Sequence, residues 1–191
     1  MIKKAPRAFV LRQWHERKGQ PPTSTTLARV ELAIGDWVVY AGHGTARVAA
    51  REQRTVLGVE QEVVVLELAN SLSVTLPIQR ARERLRPVVG EAEVHRVQQT
   101  LGEGGEINPD SWMKRLRQGQ EKLIGGDLLE LAEIVRDGAL RERTPTLAYS
   151  EKERRLYAKA RHFLAQEISC ACRLDEDEAD AWIEEQLAKK G

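Results

Sequence analysis

At about residue 89 the spacing of apolar residues changes period, and that change constrains the fold more than any other feature of the chain. Before it, the pattern is that of short strands. Asp36-Trp37-Val38-Val39-Tyr40 is β-branched and aromatic, and Glu62 to Leu68 is a nearly continuous apolar run suited to a strand buried on both faces. Leu72, Val74 and Leu76 alternate with Ser71, Ser73 and Thr75, and Pro77 closes that strand. In Thr45 to Arg51 partial alternation places Arg47 and Arg51 on one face and Val48 on the other. Gly42-His43-Gly44, Leu57-Gly58-Val59-Glu60 and Asn70-Ser71 read as the turns between them. Several antiparallel strands packed into so short a segment predict a small SH3-like or Tudor-like barrel.

After residue 89 the period is helical. Val94, Val97 and Leu101 recur at i, i+3 and i+7, and Gly102-Glu103-Gly104-Gly105 ends that helix. Asn108-Pro109 reads as a start, Asn capping and Pro in the first turn, for a helix running to Ile124 and ending at Gly125-Gly126. Asp127 caps the next, with Leu128, Leu131, Ile134 and Val135 as its stripe. Ser150-Glu151-Lys152-Glu153 is a capping box opening a long helix to about Cys172, and Asp175 with Glu178 opens a last one carrying Trp182, Ile183 and Leu187. The expected fold is therefore α+β: a basic, flexible extension over 1–30, a barrel over 31–88, and a bundle of about five helices over 89–191.

Charge divides the chain the same way. The net charge of +1 conceals +6 in residues 1–30, zero in 31–88 and −5 in 89–191. A protein that coats nucleic acid unaided is not built so, and any nucleic-acid contact has to be local and assisted by a second partner. The extension contains Gly19-Gln20-Pro21-Pro22-Thr23-Ser24-Thr25-Thr26, a linker composition. No apolar run approaches the roughly 20 residues that cross a bilayer, and the lysines at the start precede no apolar segment, so no membrane or secretory role is expected. Cys170 and Cys172 stand two apart on a helix, where they point to different sides; they fit small core or surface residues in a reducing cytoplasm.

The residues of an enzyme are missing. No phosphate-binding glycine loop is present, and His15, His43, His95 and His162 are scattered, without metal-ligand spacing. His43 in its Gly-His-Gly turn suits a backbone hydrogen bond better than catalysis. Trp37 and Tyr40 fall on opposite faces of one strand and make a poor aromatic cage. Neither enzyme, cofactor nor metal is expected.

The most informative stretch is Pro109 to Leu123. It is basic inside an acidic half, with Lys114, Arg115, Arg117 and Lys122 against Asp110 and Glu121, and Trp112 stands near its start. Helical spacing suggests Trp112, Arg115 and Gly119 on one side, Leu116 and Leu123 on another. An exposed Trp beside cations fits nucleic acid, the cations on phosphates and the ring against bases. A core Trp beneath a solvated basic face fits the same residues equally well.

Gly35-Asp36-Trp37-Val38-Val39-Tyr40 with His43-Gly44 resembles the barrel of the CarD/CdnL family of bacterial transcription regulators. The helical half resembles it more specifically: Trp112 and Arg115, Glu121-Lys122-Leu123, Gly126-Asp127, Leu131 to Asp137, Leu147, Ser150-Glu151-Lys152, Leu156, Ala158 to Arg161, Leu164 and Glu167. The resemblance covers about residues 32–190 in order. It implies a barrel that docks on the β-subunit lobe of RNA polymerase and a helical domain that meets promoter DNA, without reading its sequence, at the upstream edge of the bubble. There a Trp wedge, matched by Trp112, hinders reclosure, accompanied by Lys114, Arg115, Arg117 and Lys122. On the barrel it implies polymerase contacts at Arg54 and Val56. A second family Arg falls at Thr75, after a one-residue gap, and its loss bears on the strength of that contact. The implied protein is a cytoplasmic monomer, associated with the nucleoid through polymerase. The alternative is a diverged paralogue that binds a protein partner and no DNA.

Overall fold

The computed structural model describes residues 32–56, 58–69, 71–105 and 108–190. The expected basic extension, 1–30, lies outside the described residues.

Four strands form a meander: β1 (Trp37–Tyr40), β2 (Gly44–Val56), β3 (Val59–Leu68) and β4 (Ser73–Pro77). A short helix, α1 (Ile78–Arg84), follows, and β5 (Leu85–Pro87) returns to pair with β1. The result is one antiparallel sheet in the order β4-β3-β2-β1-β5, with α1 joining its two edge strands. The core beneath it is Leu32, Val38, Ala46, Val48, Val64, Leu66, Leu68, Ala81 and Leu85. Val63 and Val64 are both fully buried, so β3 is covered on both faces there, while Glu67 further along is exposed.

Two expectations for the sheet fail. A register shift between Val48 and Ala50 inserts an extra residue into β2. Arg47 therefore pairs with Glu67 but Arg51 pairs with Val64, and those partners point to opposite faces of β3. Arg47 and Arg51 thus lie on opposite faces, not one. Leu72 precedes β4 and is exposed, so only Val74 and Leu76 of its predicted triplet pack inward.

The second half holds five helices: α2 (Glu91–Gly102), α3 (Trp112–Gly125), α4 (Leu128–Glu142), α5 (Glu151–Cys172) and α6 (Glu176–Leu187). Their core, with Val97, Ala132, Val135, Ala160, Leu164, Ile168, Ala179 and Ile183 at its centre, is separate from that of the sheet. The caps follow the expected chemistry. Asp127 accepts from the amides of Leu129 and Glu130, and Ser150 with Glu153 and Asp175 with Glu178 form complete capping boxes.

Between the two cores lies a polar seat. Arg86 on β5 reaches Glu167 on α5 (Nη2–Oε2 2.7 Å) and donates to the Gly126 carbonyl at the end of α3 (2.7 Å). Glu167 is 2% exposed and also accepts from the Val89 amide. The two turns that face one another are close because they carry glycine. Gly126, at φ 69°, would place a Cβ 3.0 Å from Ala41, and Gly44, at φ 90°, would place one 2.4 Å from Gln166 Oε1.

Candidate functional site

Helix α3 carries the basic stretch, and its start differs from expectation. The helix begins at Trp112, with Ser111 as its first flanking residue and no side-chain cap. Asn108 does not cap it. Its side chain instead closes a turn on the Asp110 amide (2.9 Å), and the carbonyls of this segment are taken by arginines. Arg141 of α4 donates to the Asn108 carbonyl (2.6 Å) and Arg115 to that of Asp110. A backbone held by these side chains does not coil into the helix.

The faces of α3 also differ from expectation. Gly119 and Leu123 are both buried, and Trp112, Leu116, Gly119 and Leu123 fall on one line at i, i+4, i+7 and i+11. Trp112 therefore heads the packed stripe. It is nonetheless 43% exposed, and Met113 beside it is 62% exposed. Two large apolar side chains of the first turn are thus exposed, an apolar tip at the start of the helix.

The four cations predicted around that tip divide into two kinds. Lys114 and Arg117 point to solvent, in i,i+4 pairs with Asp110 (3.0 Å) and Glu121 (3.2 Å). Such exposed pairs are weak and readily exchanged for a phosphate. Arg115 is different. Its guanidinium is 14% exposed and binds Glu153 of α5 through Nε (2.9 Å) and Nη2 (2.8 Å), and Glu153 is 7% exposed. Burial favours the neutral form of Glu153, but hydrogen bonds from Ser150 and the Arg115 guanidinium outweigh it and hold this carboxyl below the usual range. Lys122 makes an ion pair with Glu133 of α4.

On the sheet, the strand register places two of the predicted polymerase contacts, Arg54 and Thr75, on one face. Arg54 pairs with Gln61, and Thr75 sits opposite Val65, itself opposite Ala50. Gln61 and Val65 share a face of β3, so Arg54 and Thr75 do also. Both are exposed, and Arg54 forms an ion pair with Glu52 (2.7 Å). Val56 pairs with Val59 at the end of the same hairpin; its side chain lies outside the described residues.

Among the described residues no group of three or more His, Cys, Asp or Glu could hold a metal ion. His43 stacks on Tyr40 and meets the Ala41 carbonyl through Nδ1 (3.1 Å), a turn contact. Burial pushes the Cys172 thiol up to about 11, with Glu91 adding to the shift, which makes it a poor nucleophile. No helix among the described residues is long and apolar enough to cross a membrane.

Sequence reasoning missed Glu153, Arg141 and the Arg86–Glu167 seat. Glu153 was legible as a cap but not as the partner of an arginine 38 positions earlier.

Both halves of the chain resemble known proteins. Residues 32–89 match the family model described as "CarD-like/TRCF RID domain", and residues 96–184 match the one described as "CarD, C-terminal domain". A candidate transcription factor of Bacillus subtilis (strain 168), YdeB, is 26% identical over 137 residues, which cover 71% of this chain and 88% of that protein.

Proposed function

We propose, from the premise that this chain belongs to the CarD family of transcription proteins, that it stabilises promoter open complexes while tethered to bacterial RNA polymerase. The sheet face that carries Arg54 on β2 and Thr75 on β4, with Val56 at the end of the β2–β3 hairpin, docks on the β-subunit lobe. Helix α3 then meets DNA at the upstream edge of the bubble, where Trp112 wedges against the bases and Lys114 and Arg117 contact phosphates, with Lys122 beside them. The observation that carries the reading is Trp112. It is a half-exposed aromatic at the start of a locally basic helix.

The energetics suit a tethered protein. A few cations give non-specific affinities of about 10⁻⁴ to 10⁻⁶ M. Tethering raises the effective DNA concentration toward the millimolar range, so weak contacts suffice. A bias of about 1.4 kcal/mol shifts the open-complex equilibrium tenfold.

The test is the lifetime of open complexes formed by bacterial RNA polymerase on a linear promoter, with binding to the isolated β-lobe measured alongside. Trp112→Ala is expected to keep its fold and lobe binding and to lose most of the added lifetime. Arg54→Glu is expected to lose both. Unfolding of Trp112→Ala would make Trp112 a core residue and end the wedge reading.

A second reading has its own support. All four cations of α3 have carboxylate partners, and residues 89–191 carry a net −5. That pattern suits a module that binds a protein and leaves DNA alone. Lobe binding without any promoter footprint would select it.

A further inference from the structure

We infer that Arg115 and Glu153 are positioning residues that preset Trp112, and that Arg115 makes no phosphate contact. The inference rests on the proposed wedge role of Trp112 and departs from it in taking Arg115 out of the DNA surface.

Helix α3 begins at the residue that does the work, yet it has no side-chain cap. An uncapped first turn frays, and a frayed turn would leave Trp112 free to fold back or swing. What replaces the cap is a bracket of charged side chains. Arg115, one turn into the helix, donates back to the Asp110 carbonyl, two residues before Trp112. It simultaneously binds Glu153 Oε1. Glu153 is fixed in turn, because its Oε2 accepts from the Ser150 amide (2.9 Å) and hydroxyl (2.8 Å) in the capping box of α5. Arg141, buried on α4, holds the Asn108 carbonyl from the other side. The approach to Trp112 is thus tied to both α4 and α5.

Three of the five Arg115 N–H donors are thereby committed, and with the side chain only 14% exposed little of the guanidinium is open to a phosphate. Moving it to DNA would strand Glu153, a nearly buried carboxylate, which costs more than an exposed phosphate contact returns. The neighbouring Lys114 and Arg117 carry no such obligation: Arg117 is 82% exposed.

The two roles predict opposite results for Glu153→Gln. Gln keeps a capping partner for Ser150 but releases Arg115 and removes a negative charge. If Arg115 were a phosphate contact, the variant would lengthen open-complex lifetime. If Arg115 positions Trp112, the variant shortens it. Arg115→Lys separates the roles again, since it keeps the charge and loses the paired Nε and Nη2 contact with Glu153 Oε1.

The experiment uses the full chain with bacterial RNA polymerase and a linear promoter fragment. We expect Glu153→Gln and Arg115→Lys each to shorten open-complex lifetime about fivefold, a usual size for breaking a coupled pair. The salt dependence of that lifetime should stay that of the wild type. Amide exchange of Ser111 to Lys114 should quicken in both variants while that of the β2–β3 strands does not change. Ser150→Ala, which weakens the cap but leaves the ion pair, serves as the control for general loosening of α5. A longer lifetime in Glu153→Gln, or a salt slope reduced by about one in the charge-removing Arg115→Gln, overturns the inference. A wild-type lifetime in Trp112→Ala brings down the wedge reading itself and this inference with it.

Discussion

Gly138, in the middle of α4, shows how far a single residue's environment decides its effect. Exchanging glycine for alanine inside a helix ordinarily gains about 1 kcal/mol. Here a Cβ would fall 2.3 Å from Cδ2 and 2.7 Å from Cγ of Tyr157. That ring cannot retreat. It is buried on α5, and its hydroxyl accepts from Arg161 (3.2 Å), which is itself bound to Asp180 (2.8 Å). Overpacking a fixed core costs about 1–3 kcal/mol, and a 2.3 Å approach belongs at the upper end, so Gly138→Ala should destabilise by about 1–2 kcal/mol net of its propensity gain. Gly102→Ala, where nothing lies within 4 Å of the new Cβ, should be neutral or stabilising. Thermal unfolding of the two variants checks the contrast; equal shifts would mean that the α4–α5 contact yields. The same distinction governs what can be read from sequence at this scale. Trp112, Lys114 and Arg117 were legible as a local basic and aromatic cluster. That Arg115 is turned inward was not, because its partner, Glu153, is distant in sequence and was already explained as a cap.

At the scale of elements, signals written within four or five residues were legible and those that depend on pairing were not. The capping boxes at Ser150 and Asp175, the Asp127 cap and the glycine ending α3 all follow from local chemistry. The bulge in β2 does not, since alternation alone cannot show where an extra residue is inserted. Nor does the late start of α3: Asn108-Pro109 is a sound start signal, and it is overruled by arginines from elsewhere. The joint between α3 and α5 has a consequence for acid stability. Hydrogen bonds from Ser150 and Arg115 lower the Glu153 pKa against the raising effect of burial, and the Arg161 hydrogen bond lowers that of Asp180. Both carboxyls titrate below their unfolded values, so their contribution is full above about pH 5 and is lost as pH falls through the folded value. The melting temperature of the wild type should therefore fall more steeply between about pH 5 and pH 3 than that of Glu153→Gln. Parallel curves would show that the pair adds nothing to folding.

For the molecule as a whole, the decisive contact is the seat between sheet and bundle, which joins residues 81 positions apart. Arg86→Met strands Glu167 as a buried carboxylate and should cost about 3 kcal/mol, the lower end for breaking such a pair. Adding Glu167→Gln should return a good part of that loss, because the penalty lies in the unpaired charge. The seat lies at the Thr45 end of β2, and Arg54 lies nine residues away toward the hairpin tip, about 30 Å along an extended strand. Binding to the polymerase lobe should therefore be untouched in both variants. The effect on DNA should not be untouched, because Arg86 also holds the Gly126 carbonyl that ends α3. In the proposed function the barrel is fixed on polymerase, so the angle at this seat would determine where Trp112 is delivered, and loosening it would lower the effective concentration of the wedge at the bubble. Arg86→Met should shorten open-complex lifetime at unchanged lobe affinity, at a temperature well below its melting point. A lifetime equal to the wild type would mean that polymerase and DNA orient the helical domain by themselves, and that the seat serves folding alone.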